Sequence, residues 1–276
     1  MRVPKAEFQR NGFALGGRVL SDDQCDELCE VVEHLVENRE KLAEGKRPVS
    51  ISSLGGMENP VWQIVDIFMA SDSFRSLVDH PEITTAVADL TDAKELRIWH
   101  DQIQYKPAQK GGRNFWHQDW PYWGILSQPT QVTAWVALDD ADEDNGCMSM
   151  VEGSHLWGDQ INLLHSWRDG NEEKGIDPAF FFDIPKESEF GEVKQKLCRV
   201  PKGHVHFHHG LTWHGSHPNT SGRPRRAIAL HYMTEQTRYV EEKSHLMKSY
   251  VNVEDGEVIS GEAFPLVYAN SGPVKA

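Results

Sequence analysis

Apolar positions in the first third of the chain fall mostly at helical spacing. Ser21-Asp22-Asp23-Gln24 has the form of a capping box, and Cys25, Leu28, Cys29, Val32, Leu35 and Val36 trace one stripe behind it. Together they predict an amphipathic helix running to about Gly45. Ahead of it, Phe8 to Leu20 ends in a short apolar run. Trp62, Val65, Phe68 and Met69 are spaced as one face of a second helix, and Pro81 suits the first turn of a third, short one. From Leu96 the pattern changes to short runs rich in β-branched and aromatic residues: Leu96 to Tyr105, Gln131 to Leu138, Cys147 to Val151, Gly203 to His208 and Arg226 to Met233. Clusters of Gly, Pro, Asn and Asp bound them, as they bound strands. The predicted fold class is mainly β with flanking helices, a β core packed by N-terminal helices. It reads as one domain over 1–276, with helical support in 1–95 and the core in 96–276. Between the strands, His155 to Arg199 is polar and carries Gly158, Gly170, Gly175, Pro178, Pro185 and the cluster Phe180-Phe181-Phe182. An insertion of that length predicts a lid or a mobile surface segment.

Composition narrows the partners. A hydrophobic content of 39% over 276 residues suffices for one large core. A formal net charge of -14 repels phosphate backbones and anionic lipid, so neither nucleic acid nor membrane is an expected partner. No apolar run approaches the roughly 18–20 residues of a spanning helix, and Met1-Arg2-Val3-Pro4-Lys5 lacks the apolar stretch of a signal peptide. A soluble, cytoplasmic protein is expected, monomer or homodimer. Cys25, Cys29, Cys147 and Cys198 are too few and scattered for a disulfide framework, and the spacing of the first two turns both toward the core as reduced thiols.

The chemistry concentrates in two short segments. In Asn114-Phe115-Trp116-His117-Gln118-Asp119-Trp120, a strand would send His117 and Asp119 to the same side. An HxD pair alone is weak. Trp213-His214-Gly215-Ser216 adds a second imidazole at a strand end, where a turn marked by Gly215, Pro218, Asn219 and Gly222 begins. Two histidines and one carboxylate on one face leave three coordination positions open, which suits iron(II) that must take a bidentate keto acid and then O2. Arg225 re-enters a strand after that turn and, inside a barrel, would need an anionic partner; the distal carboxylate of 2-oxoglutarate would serve.

With these segments, the chain resembles the phytanoyl-CoA dioxygenase family. The resemblance runs through Asn11-Gly12-Phe13 to Leu20-Ser21-Asp22, His117-Gln118-Asp119, Thr133-Ala134-Trp135, Asn145-Gly146-Cys147, Gly153-Ser154-His155 and His214-Gly215-Ser216 with Arg225. It implies a double-stranded β-helix, or jelly roll, of cupin-like form. It also implies iron(II) on His117, Asp119 and His214, and 2-oxoglutarate held by Arg225 with Ser216, Trp135 and Gln102. The implied reaction is hydroxylation of a C–H bond with O2, releasing succinate and CO2. Asp119 favours hydroxylation over halogenation, which needs a ligand position freed for halide.

Several residues keep two readings. Trp120, Tyr122 and Trp123 are either core or an aromatic face for a cationic or zwitterionic substrate such as a quaternary amine or amino-phosphonate. A natural-product intermediate is the alternative substrate class. His155 either touches substrate or caps a turn, and His209 is either a support for the metal site or a structural histidine. His204, His206 and His208 alternate on one strand face as a conceivable surface metal site, and Arg226 is expected in solvent. The rival functions are a non-oxidative cupin-like metalloenzyme, such as a zinc hydrolase, and a silent metal-binding module.

Overall fold

Ser21 caps a helix through both arms of its box: its hydroxyl accepts from Gln24 N at 3.2 Å and its amide donates to Gln24 Oε1 at 2.9 Å. The computed structural model describes residues 1, 3–43, 47–174, 183–270 and 272–276. The N-terminal part contains α1 (Lys5–Asn11), β1 (Phe13–Arg18), α2 (Asp22–Asn38), β2 (Ser50–Leu54), β3 (Val61–Val65), α3 (Asp72–Val78) and α4 (Pro81–Thr91). The six stripe residues of α2 are all buried and its two cysteines are free thiols. The helix stops at Asn38, where the Asn38 amide reaches the His34 carbonyl and Arg39 reaches that of Val36. The Val36 carbonyl lies in the last turn, where the helix itself offers it no donor. Gly45, the expected end, lies outside the described residues.

The second helix expected from Trp62, Val65, Phe68 and Met69 is instead mostly strand. Val61 to Val65 pairs with β2 on one side and with the next strand on the other, and only Ile67–Met69 forms a 3-10 turn. Val61, Trp62, Ile64 and Val65 are buried on both faces, so neither a helical nor an alternating period survives, and β-branched residues then follow the available pairing. The first 95 residues are therefore not simply helical support, since β1, β2 and β3 all join the main sheet.

The remaining elements are β4 (Glu95–Lys106), β5 (Asn114–His117), β6 (Val132–Ala137), β7 (Met148–Val151), α5 (Ile161–Glu172), β8 (Glu187–Ser188), β9 (Gly191–Glu192), β10 (Gln195–Cys198), β11 (His204–His209), β12 (His214–Ser216), β13 (Arg225–Thr234), β14 (Leu266–Ala269) and β15 (Gly272–Pro273). All five strand runs expected after Leu96 are present. The pairings are antiparallel throughout. The large sheet runs β1-β11-β6-β13-β4-β14-β15, with β3 sharing the edge of β4 and β2 outside it; a smaller sheet runs β10-β7-β12-β5. The two make a jelly roll. One face of the large sheet, carrying Ile98, Ile103, Val132, Ala134, Val205, Phe207, Ile228 and Leu230, packs on α2, α3 and α4 in the main core. The opposite face is left for the site.

Two expectations about connections change. His214 does not begin a turn: it opens β12, held between β5 and β7. The stretch from His155 to Arg199 is not irregular where described, because it contains α5 and the β8/β9 hairpin and ends in β10 of the smaller sheet. Leu164 of α5 and Ile184 pack with Trp116, Trp213, Val151 and Val193, which gives the segment a small core of its own. Phe180, Phe181 and Phe182 lie outside the described residues.

Candidate metal and keto-acid site

His117 and His214 face each other across β5 and β12, paired at the same rung of the smaller sheet. Their ring centroids are 4.1 Å apart. Asp119 comes from just beyond the strand: β5 ends at His117, Gln118 leaves it, and Asp119 is in helical conformation before the turn Trp120–Tyr122. The HxD pair thus converges by a strand-to-turn transition and not by strand alternation. Gln118 fixes that transition. Its buried side chain donates to the carbonyls of Gly158 (2.8 Å) and Leu211 (2.7 Å) and accepts from Gln160 N (2.7 Å).

Nε2 of His117 and of His214 lie 3.7 and 3.5 Å from Oδ1 of Asp119, and one donor atom from each of the three residues falls within 4.8 Å of the others. Nδ1 of His117 donates to the Phe115 carbonyl at 2.7 Å and Nδ1 of His214 to that of Thr212 at 2.9 Å. Both protons are therefore on Nδ1, and both Nε2 lone pairs point at the common centre. Burial and the neighbouring His214 push His117 down to about 4, and burial also lowers His214. Burial alone would raise the Asp119 carboxyl, but His214 and His208 hold it well below the usual carboxylate range. Two neutral imidazoles and a carboxylate, with their outer nitrogens pinned, are the donor set a divalent iron needs, and they leave the opposite side open.

A cavity of about 480 Å³ opens from this centre. Arg225, 2% exposed, lies on its wall with only two long hydrogen bonds, to Ser216 Oγ and to the Gln104 carbonyl, each 3.4 Å. Among the described residues its Nε has no partner and it makes no ion pair. Burial pulls this guanidinium down to about 10, and it sits over the Trp135 ring at 5.5 Å. A buried cation in that condition is a receptacle for an anion from outside the chain. Gln102 and Ser216 line the same cavity.

The remaining expectations divide. Tyr122 and Trp123 line the cavity; Trp120 does not, and packs with Trp99, Ile125 and Phe264. His155 is not among the lining residues either. Its ring stands against His209 at 5.5 Å, and its Nε2 lies 3.2 Å from the Gln9 carbonyl. Its partner there is Gly12, at φ 85°, where a Cβ would meet His155 Nδ1 at 2.5 Å. His155 and His209 form a structural pair behind the site. His206 and His208 are buried, 3% and 2% exposed, so their face of β11 is the interior and not a surface metal site. Among the described residues His117, Asp119 and His214 form the one cluster able to hold a metal. Arg226 is not solvated: its amide and guanidinium engage Asp139, and it reaches Glu33 of α2 at 2.6 Å.

Sequence reasoning placed His208 on a surface face and missed Thr133 and His231, which with it surround Asp119, and His165 and Arg168, which α5 brings to the cavity. A signal existed for His231, six residues past Arg225 on the same face of β13. For His165 the local signal was the helical spacing of Leu163, Leu164 and Trp167, but nothing near it in the chain shows that this helix docks over the cavity.

The profile of the phytanoyl-CoA dioxygenase (PhyH) family matches residues 8–227. This chain belongs to that family. It is 28% identical over 168 residues to a probable alpha-ketoglutarate-dependent hypophosphite dioxygenase of Stutzerimonas stutzeri, covering 58% of this chain and 53% of that protein. It is 25% identical over 244 residues to the peroxisomal phytanoyl-CoA dioxygenase of Rattus norvegicus, covering 86% and 69%. The alignment thus spans about half the length of the first relative. Among solved structures, the non-heme alpha ketoglutarate dependent carbocyclase SnoK from nogalamycin biosynthesis superposes with a TM-score of 0.71 at 25% identity, covering 95% of this chain and 94% of that one. EctD from S. alaskensis with 2-oxoglutarate and 5-hydroxyectoine gives 0.66 at 19% identity, covering 92% and 83%, which speaks for the shared fold.

Proposed function

We propose that this protein is an iron(II)- and 2-oxoglutarate-dependent dioxygenase that hydroxylates a C–H bond of a small metabolite, releasing succinate and CO2. The observation that carries this reading is the pairing of a convergent two-histidine, one-carboxylate centre with a buried guanidinium that has no acidic partner among the described residues. His117, Asp119 and His214 would hold the iron, and Arg225, steadied by Ser216, would take the distal carboxylate of 2-oxoglutarate beside Trp135, with Gln102 nearby. Iron and keto acid together supply the oxidising power when bound; the chain binds, orients and excludes water. A zinc hydrolase or a silent module would have no use for the uncompensated Arg225, and this favours the oxygenase over both.

The cavity also bears on the substrate. Asp119 is the sole acidic side chain among its described lining residues, whereas Arg168, His100, His165 and His245 face it with Tyr122 and the hydroxyls of Ser50 and Ser52. A quaternary amine would find the rings of Tyr122 and Trp123 but, among the described lining residues, no carboxylate beyond the metal-facing Asp119. A neutral or anionic, oxygen-rich molecule is better matched, as a natural-product intermediate or a phosphonate would be. Succinate release measured across a panel of such compounds, with a quaternary amine and a fatty acyl-CoA included, tests the reading. Turnover should need iron and 2-oxoglutarate and vanish in His117→Ala, Asp119→Ala and His214→Ala. Near-wild-type turnover in any of the three would remove that residue from the metal centre.

A further inference from the structure

The two oxygens of Asp119 stand in different surroundings. Oδ2 accepts from Nε2 of His208 at 3.2 Å and from the hydroxyl of Thr133 at 3.3 Å. Oδ1 accepts from no described residue and is the oxygen facing Nε2 of His117 and His214. A carboxylate only accepts, so the proton on His208 is on Nε2. The Thr133 hydroxyl has one proton. Once it is given to Asp119, the hydroxyl oxygen must accept from its other neighbour, Nδ1 of His231 at 2.8 Å. His231 is thereby fixed as the Nδ1–H form. Thr133, His208 and His231 are 0%, 2% and 5% exposed, so water hardly competes for these bonds.

We propose that Thr133 and His208 are positioning residues that saturate Oδ2 and present Oδ1 as the single donor oxygen of Asp119. The inference rests on the metal site proposed above. A carboxylate bound through both oxygens would take a coordination position that the keto acid or O2 requires. With Oδ2 loaded by two donors, the carboxylate cannot swing to offer it without stranding a buried hydroxyl and a buried imidazole. His231 secures the arrangement from behind by keeping the Thr133 hydroxyl turned toward Asp119.

The test is calorimetric titration with Co(II), in the absence of keto acid and substrate, on the full chain. Thr133→Val and His208→Leu should weaken Co(II) binding by roughly 10–100-fold, the usual cost of losing such an outer hydrogen bond. Thr133→Ser and His208→Gln, which keep a donor, should recover most of it, a rescue that a purely packing role would not give. Circular dichroism establishes that each variant is folded, and the two pairs report independently. Wild-type affinity in both Thr133→Val and His208→Leu would overturn the proposal. Loss in His208→Leu as complete as in His117→Ala would also overturn it, by making His208 a ligand. Co(II) binding insensitive to His117→Ala would instead bring down the metal site itself, and the proposal with it.

Discussion

Arg225 and Arg226 are neighbours in the chain, and successive side chains of β13 point to opposite faces of its sheet. Arg225 therefore enters the cavity without a counter-charge from any described residue, while Arg226 meets Asp139 and Glu33 on the face that carries α2. Their alanine variants should separate two properties. Arg225→Ala should raise the apparent KM for 2-oxoglutarate strongly and leave Co(II) binding intact, because a charge-assisted fork to a carboxylate is lost while the metal ligands stay. Arg226→Ala should leave that KM unchanged and cost about 1.5–3 kcal/mol of stability, the scale of hydrogen bonds to charged groups. Steady-state kinetics and urea denaturation of both variants check this, and a rise in KM confined to Arg226→Ala would mean the strand faces are exchanged. Alternation made the opposed directions of these two residues legible in the sequence. It could not show that Arg226 has partners, since Glu33 lies 193 residues away along the chain.

An element such as α5 depends on surroundings that its own residues do not announce. Leu164, fully buried, docks it beside Trp116 and Trp213, and this brings His165 and Arg168 to the cavity, with Tyr122 Oη 2.8 Å from His165 Nε2. Leu164→Ala should cost about 2–5 kcal/mol of packing. That loss should be confined to the helix, because its small core is separate from the main one. Hydrogen exchange should then quicken at α5 amides and stay unchanged in β13; equal acceleration in both would show that α5 opens only with the whole molecule. The same dependence explains β3. Its apolar residues satisfy helical spacing when read alone, and pairing with β2 and β4 overrides it.

At the scale of the whole molecule, Asp66 and Asp101 join the 3-10 turn after β3 to β4, both fully buried. Phe68 N donates to Asp101 Oδ2 at 3.1 Å and Asp101 N lies 3.4 Å from Asp66 Oδ1, which leaves one oxygen of each carboxyl without a partner. Burial raises both carboxyls above the usual range, and Asp66 raises Asp101 further. The folded state thus keeps protons that the unfolded chain releases at about pH 4. This pair contributes stability that falls as pH rises above that value. The buried histidines, lowered by desolvation, act in the opposite sense near pH 6.5. Comparison with Asp66→Asn isolates the pair, and Asn tolerates the left-handed φ of 55° at this position. Relative to wild type, the variant should gain urea stability steadily between pH 5 and pH 8, and a pH-independent difference would refute the protonated pair.

The sequence by itself determined what depends on near neighbours: the cap and stripe of α2, the five strand runs after Leu96, and the order His117, Asp119, His214, Arg225. Period, turn residues and short motifs are properties of a few adjacent positions. Only the tertiary structure decided that Val61 to Val65 is a strand, that His155 serves Gly12 and His209 and not the cavity, and that Thr133, His208 and His231 gather around Asp119. Those outcomes rest on contacts between segments up to 146 residues apart, such as His155 with Gln9. What a side chain meets there is set by which strands pair and which faces close on each other.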